Sequence, residues 1–511
     1  MSSTSVSPRA LAESEHEHDM LDPERNRWLT MTTPGWLVSL IAHVAVLILL
    51  GICYFDLDRK TLANLITAVP ASEQETVLEE LLPPELDPIE DEGDDNSHVP
   101  TNVTDEKSDA PSIEITEVPI DFATGGVPLS EISDPLIDRL ERIHELRGGS
   151  HVGDGFRSRS AASRSRLVRS SCGSETSEAA VAMALKWLSQ HQRPDGSWDF
   201  DHRHGPCKTN AGTLTDARNG ATGLVLLTFL GAGQTHQEGD YRNVVRAGLG
   251  YLVRSMKITD NKLGDLSDAG NLYSHGLCAI ALSEAYAMTG DKELKAPAQA
   301  AIDYIAYAQD SVGGGWRYQP KQAGDTSVLG WQLMALKSGH MAYLNVPPAT
   351  VKGAAQFLDS VQADSGAAYG YTQSGDSQAT TAVGLLCRMY LGWRADNGAI
   401  ERGVARLSEL GPSQSNLYYN YYATQVVHHY GLSSEKRRAT WKKWNEVMRE
   451  QGVNTQAKAG AEKGSWYIPG DHGSERGGRI YCTAMSTLIL EVYYRHTPIY
   501  TNQATEDDFP L

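Results

Sequence analysis

A degenerate repeat of roughly 50 residues constrains this chain more than any other feature. It is clearest at Trp187-Leu188-x3-Gln192-x3-Gly196-x-Trp198 and returns as Tyr304-Ile305-x3-Gln309-x4-Gly314-x-Trp316. A third copy, Lys352-Gly353-x3-Phe357-Leu358-x3-Gln362, keeps the first half of the pattern, and Arg246-Ala247-x3-Tyr251-Leu252-x3-Met256 is a blurred fourth. One unit of this size cannot bury its apolar face alone, so a fixed period predicts stacked, similar units.

From residue 174 onward, apolar residues recur at helical spacing between glycine and turn signals. One set of segments is rich in small residues: 179–192, 220–231, 274–288, 327–344, 379–391, 419–430 and 480–494. Between them lie more charged helices at 241–256, 296–310, 349–362, 400–410 and 440–451. The alternation predicts an inner ring of helices, apolar nearly all round, inside an outer ring with one solvated face. Aromatic-glycine loops at Gly196-Ser197-Trp198, Gly315-Trp316, Tyr369-Gly370-Tyr371 and Gly464-Ser465-Trp466 punctuate it. The expected fold is all-α: an α/α toroid of about six helix pairs over 172–500, followed by a tail at 501–511.

The rest of the chain reads differently. Residues 36–55, WLVSLIAHVAVLILLGICYF, form an unbroken run of 20 residues without a formal charge. At about 1.5 Å per residue this spans a hydrocarbon core, and Trp36 and Tyr54 mark its ends. The run is too long for a signal-peptide core, and no small-residue cleavage site follows it, so it reads as a single-pass anchor. Arg25 and Arg27 on one side balance Arg59 and Lys60 on the other, giving no orientation bias. An N-in anchor would place the long C-terminal part outside the cytoplasm. Residues 1–35 are polar and expected to be disordered. Residues 56–128 carry many acids, almost no bases and scattered prolines, which predicts a disordered acidic spacer. Within 129–171, Ser130 to Leu146 has the pattern of a short amphipathic helix. The Gly/Ser-rich stretch 148–171 carries Arg157, Arg159, Arg164, Arg166 and Arg169. It reads as a solvated linker, or as a contact for anionic lipid or the acidic spacer. The net charge of -19 argues against a nucleic-acid partner, and six scattered cysteines with no CxxC argue against a disulfide framework.

The stretch 352–362 and its relatives resemble the QW repeat of the squalene-cyclase and prenyltransferase-type α/α toroids. Copies 187–198 and 304–316 match its second half and lack the leading basic residue. In such a repeat the Gln and Trp staple a helix pair to its neighbour. The resemblance implies a cavity for an isoprenoid or another elongated ligand, and active cyclases protonate that ligand with a D-x-D-D-T-A acid. Here only Asp325-Thr326-Ser327 survives, after Gln322, Ala323 and Gly324, and a glycine stands where the protonating acid is expected. Asp325 then serves as a remnant acid or as a helix N-cap. Prenyltransferases of this fold hold zinc with D-x-C. Cys482 is preceded two positions earlier by Ile480, and His472 is alone on the loop before, so no metal and no cofactor is expected.

Polar and aromatic residues at the starts of the inner helices are the candidate site. His275, Asp325 and Tyr421 are the catalytic candidates, with His275 the general acid/base by residue type. Tyr273, Tyr418, Tyr419, Tyr422, His428, Arg479 and Tyr481 are the ligand-binding candidates, and Asp268 stands with them. An aromatic lining suits an isoprenoid, lipid or glycan. Within the anchor, Ser39 and His43 share one helix face, and Ser-x3-His resembles the anchor of TonB-type energy-transducing proteins, which pack on a membrane motor protein. The chain is thus expected to be a bacterial inner-membrane protein with an extracytoplasmic toroid. Three functions fit it: a cyclase-like ligand-binding domain, an enzyme of lyase, isomerase or hydrolase type, or an envelope scaffold or force-coupled adaptor.

Overall fold

The computed structural model describes residues 154–496 and Phe509. The anchor expected at 36–55 with Ser39 and His43, the spacer at 56–128 and the helix at 130–146 lie outside the described residues. Among the described residues, no helix is long and apolar enough to cross a membrane.

The chain begins with a 3-10 turn at Asp154–Arg159 and helix α1 (Ala161–Ser170). Helices α2 (Glu175–Ser189), α3 (Arg218–Gly231), α4 (Arg242–Ser255), α5 (Asn271–Thr289), α6 (Lys292–Ala308) and α7 (Thr326–Met341) follow. Next come α8 (Pro348–Val361), α9 (Gln378–Tyr390), α10 (Gly398–Leu410), α11 (Leu417–Leu432), α12 (Arg438–Thr455), α13 (Ser474–Leu490) and the short α14 (Val492–Arg495). Two small antiparallel hairpins, β1–β2 (Lys257–Thr259 with Leu263–Asp265) and β3–β4 (Gln362–Ala363 with Ala368–Tyr369), sit in the connections.

The odd-numbered helices α3, α5, α7, α9, α11 and α13 pack each on the next, and α13 returns to α3, so the inner ring is closed. The even-numbered helices from α2 to α12 surround it, and α2 packs on α12 where the ends meet. Small residues permit the close inner packing. A Cβ on Gly220 of α3 would stand 2.3 Å from Ser274 Oγ of α5, and one on Gly330 of α7 only 2.6 Å from a Val383 methyl of α9. Caps set the starts: Ser174 closes a capping box on α2, Asp325 caps α7 and Asn416 caps α11.

The repeat works as a staple between successive outer helices. Gln192 Nε2 donates to the Gly196 carbonyl in its own loop and to the Val244 carbonyl of α4, both at 2.9 Å. Gln309 Nε2 does the same with Gly314 at 2.7 Å and Thr350 of α8 at 2.8 Å. The paired tryptophans Trp198 and Trp316 donate back to the Leu188 and Ile305 carbonyls, each at 2.8 Å. A copy the repeat pattern did not single out closes the ring: Gln456 donates to Gly464 and to Ala180 of α2, and Trp466 to Gly452.

One placement differs from expectation. The segment 179–192, expected in the inner ring, lies in α2 on the outside. Its small residues Ala179 and Ala182 line up with Glu175 and Lys186 as an exposed stripe. Alanine is tolerated in water, so small-residue content alone does not mark an inner helix. The Arg-rich stretch 148–171 also contributes structure, since α1 packs on α14.

Candidate functional site

The inner helices begin at one end of the ring, and cross-links between their first turns gather the site there. Tyr273 at the start of α5 bonds through its hydroxyl to Ser327 Oγ of α7 at 2.5 Å. Tyr418 at the start of α11 donates to the Ser327 carbonyl at 3.1 Å. Thr326 Oγ1 donates to the carbonyl of Gly370 in the loop before α9, at 2.6 Å. Tyr318 and Tyr371 join hydroxyls at 2.5 Å, and the Arg317 guanidinium stands 5.2 and 5.7 Å from their ring centres.

Asp268, Asp325 and Asp471 are among the carboxyls at this end. Asp268 accepts from the Asn219 and Gly270 amides and from Ser274 Oγ, and Asp471 accepts from the Leu417 and Gly473 amides, so both are used up tying loops. Asp325 differs. Its Oδ1 accepts from the Val328 amide at 2.8 Å and from Ser327 Oγ at 2.6 Å, whereas its buried Oδ2 has no hydrogen-bond partner. Arg317 Nε, also buried without a partner, lies 4.0 Å from that oxygen. Because Ser327 donates to Asp325, the Tyr273 hydroxyl must donate to Ser327, and its lone pairs are left for a ligand. Burial pushes the Asp325 pKa up to about 6, against hydrogen bonds and Arg317 that pull it down.

Tyr273, Tyr418 and Tyr481 are each part-exposed, yet burial holds their phenol pKa values well above normal. Each ring is thus partly wet and partly covered by its neighbours, and the three mark the recess that is the candidate site. The floor beneath is solid. Trp331 stacks on Tyr421 with ring centres 5.4 Å apart and meets Tyr422 edge-on at 5.6 Å, and all three are buried. A small cavity elsewhere, lined by Leu417, Met448, Gln451 and Leu490 among others, lies between α11, α12 and α13, off the ring axis.

The recess therefore gathers Asp325, Tyr273, Tyr418 and Tyr481 of the expected residues, with Tyr422 in its floor. The other candidates stand elsewhere. His275 faces outward: its Nδ1 accepts from the Leu266 amide at 3.2 Å and its Nε2 bonds the Ala301 carbonyl of α6 at 3.0 Å, pinning α5 to α6. Burial lowers its pKa to about 4, which keeps the ring neutral while it makes these two bonds. Tyr419 points out to the Gly411 carbonyl and meets Trp444 edge-on. Tyr421, expected as a catalytic residue, is buried one turn deeper than Tyr418 and stacks on Trp331. His428 is buried edge-on against Trp441, at the far end of α11. Arg479 spends its guanidinium on Thr209, Ser465 and Glu462, bracing loops at the rim. Helical periodicity placed these residues near the ends of helices but did not say which face each would present.

Arg317, Tyr318, Ser327, Trp331 and Tyr371 were missed as site residues. Arg317, Tyr318 and Tyr371 lie in or beside the aromatic-glycine loops already noted, read there only as punctuation. Among the described residues, no group of three or more His, Cys, Asp or Glu side chains is placed to hold a metal ion.

No protein-family model matches the chain, and no curated protein matches it. Solved structures similar to it include the GH76A alpha-1,6-mannanase from Salegentibacter sp. HEL1_6, at 10% identity and TM-score 0.45 over 62% of this chain and 99% of that one. The type II terpene cyclase MstE from Scytonema is similar at 14% identity and TM-score 0.41, over 62% and 97%. An alpha-amylase from Clostridium perfringens is similar at 9% identity and TM-score 0.42, over 62% and 98%. These likenesses are too loose to argue from, and the assignment of a closed α/α toroid rests on the ring's own packing.

Proposed function

We propose that the recess binds a polyhydroxylated ligand, a saccharide, and that Asp325 is the group that hydrogen-bonds or protonates a ligand oxygen. The observation that carries this reading is the pair formed by Asp325 Oδ2 and Arg317 Nε, both buried, both without hydrogen-bond partners and 4.0 Å apart. A ligand hydroxyl admitted by a shift of the side chains that cover them would bridge the two, accepting from the guanidinium and donating to the carboxylate. The tyrosine rim supplies flat faces for a sugar ring and hydroxyls to orient it. An isoprenoid calls instead for a deep apolar chamber, and the ring axis is filled there by Trp331, Tyr421 and Tyr422. Near pH 6 Asp325 is half protonated, which suits a proton donor in lyase or hydrolase chemistry on a glycan.

Calorimetric titration of the full-length protein with neutral and acidic oligosaccharides and with a polyprenyl diphosphate tests this. Saccharide binding weakened by Arg317→Ala supports the reading. In any turnover assay, Asp325→Asn should retain binding and lose about 100-fold or more in rate. Binding of the polyprenyl compound alone would return the domain to the cyclase-like reading.

The uncharged run at 36–55 supports a further part of the proposal: a bacterial inner-membrane anchor that carries this domain on its acidic spacer outside the cytoplasm. Ser39 and His43 would then meet a membrane partner such as a motor protein, and loss of a co-purifying partner in His43→Leu is the check.

A further inference from the structure

At the opposite end of the ring, where the inner helices finish, a second built site holds a side chain that the ring does not supply. The turn Asp154–Arg159 lies against α5 and α14. Arg159 is only 2% exposed. Its Nη1 donates to Glu284 Oε2 of α5 at 2.8 Å and lies 3.6 Å from Met288 Sδ. Its Nε donates to the Arg495 carbonyl at 3.1 Å, and its guanidinium rests 4.7 Å from the centre of the Phe156 ring. Glu284 gives its other oxygen to Arg495 Nη2 at 3.2 Å, and Arg495 Nη1 donates to the Leu227 carbonyl at the end of α3 at 2.6 Å.

A carboxylate, a carbonyl oxygen, a thioether and an aromatic face thus converge on one guanidinium, engaging two of its nitrogens in different directions. A compact ammonium cannot make that set of contacts at once. A second carboxyl is close at hand. Glu491 is fully buried, and neither of its oxygens has a hydrogen-bond partner among the described residues. A Cβ on Gly231 would stand 2.0 Å from Glu491 Oε2 and 3.0 Å from Arg495 Nη1, so Glu491 and Arg495 crowd one spot. Burial raises the Glu284 pKa, but Arg159 and Arg495 outweigh it and keep Glu284 ionised. On the backbone side, Gly233 (φ +78°) lies where a Cβ would come 2.3 Å from the Arg159 carbonyl oxygen, so the segment is seated closely.

We propose that this end of the ring is a guanidinium-binding site occupied in cis by Arg159, and that residues 154–170 form a latch which a competing guanidinium can replace. The competitor is a small free guanidinium compound. The proposal does not depend on the saccharide reading, because the two sites lie at opposite ends of the inner helices.

Chemical rescue of full-length Arg159→Ala tests it. With the latch unseated, trypsin should cut α1 at Arg164, Arg166 and Arg169 about tenfold faster than in the parent. Ethylguanidinium at about 10 mM should restore protection saturably, whereas ethylammonium should not. Adding Glu284→Gln should abolish the rescue. Should Arg159→Ala lose its folded tryptophan fluorescence, the parent protein serves in its place, and there ethylguanidinium but not ethylammonium should speed cleavage of α1 saturably. An unchanged cleavage rate, or equal protection by ethylammonium, overturns the proposal.

Discussion

Replacing Gln456 by leucine tests whether the ring is closed by the same device that links its outer helices elsewhere. Gln456 is 2% exposed, and its Nε2 donates to the Ala180 carbonyl of α2 at 2.8 Å and to the Gly464 carbonyl at 2.9 Å. Leucine fills similar space and donates nothing. The Ala180 carbonyl keeps its partner within α2, so its loss is at the low end, while the Gly464 carbonyl is left bare at about 1–3 kcal/mol. Removing Gln456 Oε1, itself buried without a partner, returns part of this. The net cost is about 1–3 kcal/mol, which for a ring of this size lowers Tm by roughly 1–4 °C. Differential scanning calorimetry measures it, with Gln356→Leu as the control. Gln356 reaches the Val312 carbonyl at 3.3 Å on the exposed surface, so that change should stay within about 0.5 kcal/mol. If the two variants melt together, the Gln staple is not what closes the ring.

Gly314→Ala should destabilise by about 2 kcal/mol or more, because Gly314 has φ +77° and a Cβ there would meet the Gly353 carbonyl oxygen at 2.1 Å; urea unfolding reads it. Tyr418→Phe should weaken saccharide binding while Tyr419→Phe leaves it unchanged, since only Tyr418 lies in the recess; titration calorimetry separates them. Acid should destabilise the domain: burial lowers the pKa values of His191, His202 and His275 from 6.5 to about 4 each. Folded-state values below the unfolded ones give stability that is present above pH 6.5 and lost on acidification towards pH 4. At pH 5 this amounts to about 2 kcal/mol per histidine. Asp325 and Asp471, raised by burial to about 6, act in the opposite sense and return about 1.4 kcal/mol each at pH 5, too little to cancel it. A Tm that rises between pH 6.5 and 5 would sink this account.

Much of the architecture was legible because it is periodic. The Gln and Trp of 187–198 and 304–316 bond as the repeat implied, to carbonyls fixed by the helices on either side. Segment 179–192 was misassigned because alanine signals a close-packed face and a solvated face equally well, and only the contact of α2 with α12 distinguishes them. The site was half legible. Asp325 can be suspected from its place before an apolar run, and the capping role proved real. That role uses only one oxygen, so N-cap and candidate acid are compatible, which sequence alone could not show. His275 looked like the acid because histidine titrates near neutrality. Its placement follows from one helix face turning it towards Ala301 instead of the ring axis.

What the sequence determined by itself was the local and repeating physics: helices alternating in polarity, loops punctuated by glycine, and a recurring Gln and Trp, each read from residues within a few turns of one another. The tertiary structure decided what depends on distant residues meeting. It brings Tyr273 and Tyr418 to Ser327, fills the ring axis with Trp331 and Tyr421, and seats Arg159 on Glu284, 125 positions away. Contacts between residues so far apart leave no periodic trace, because they are set by the closure of the ring and not by the spacing of any one helix.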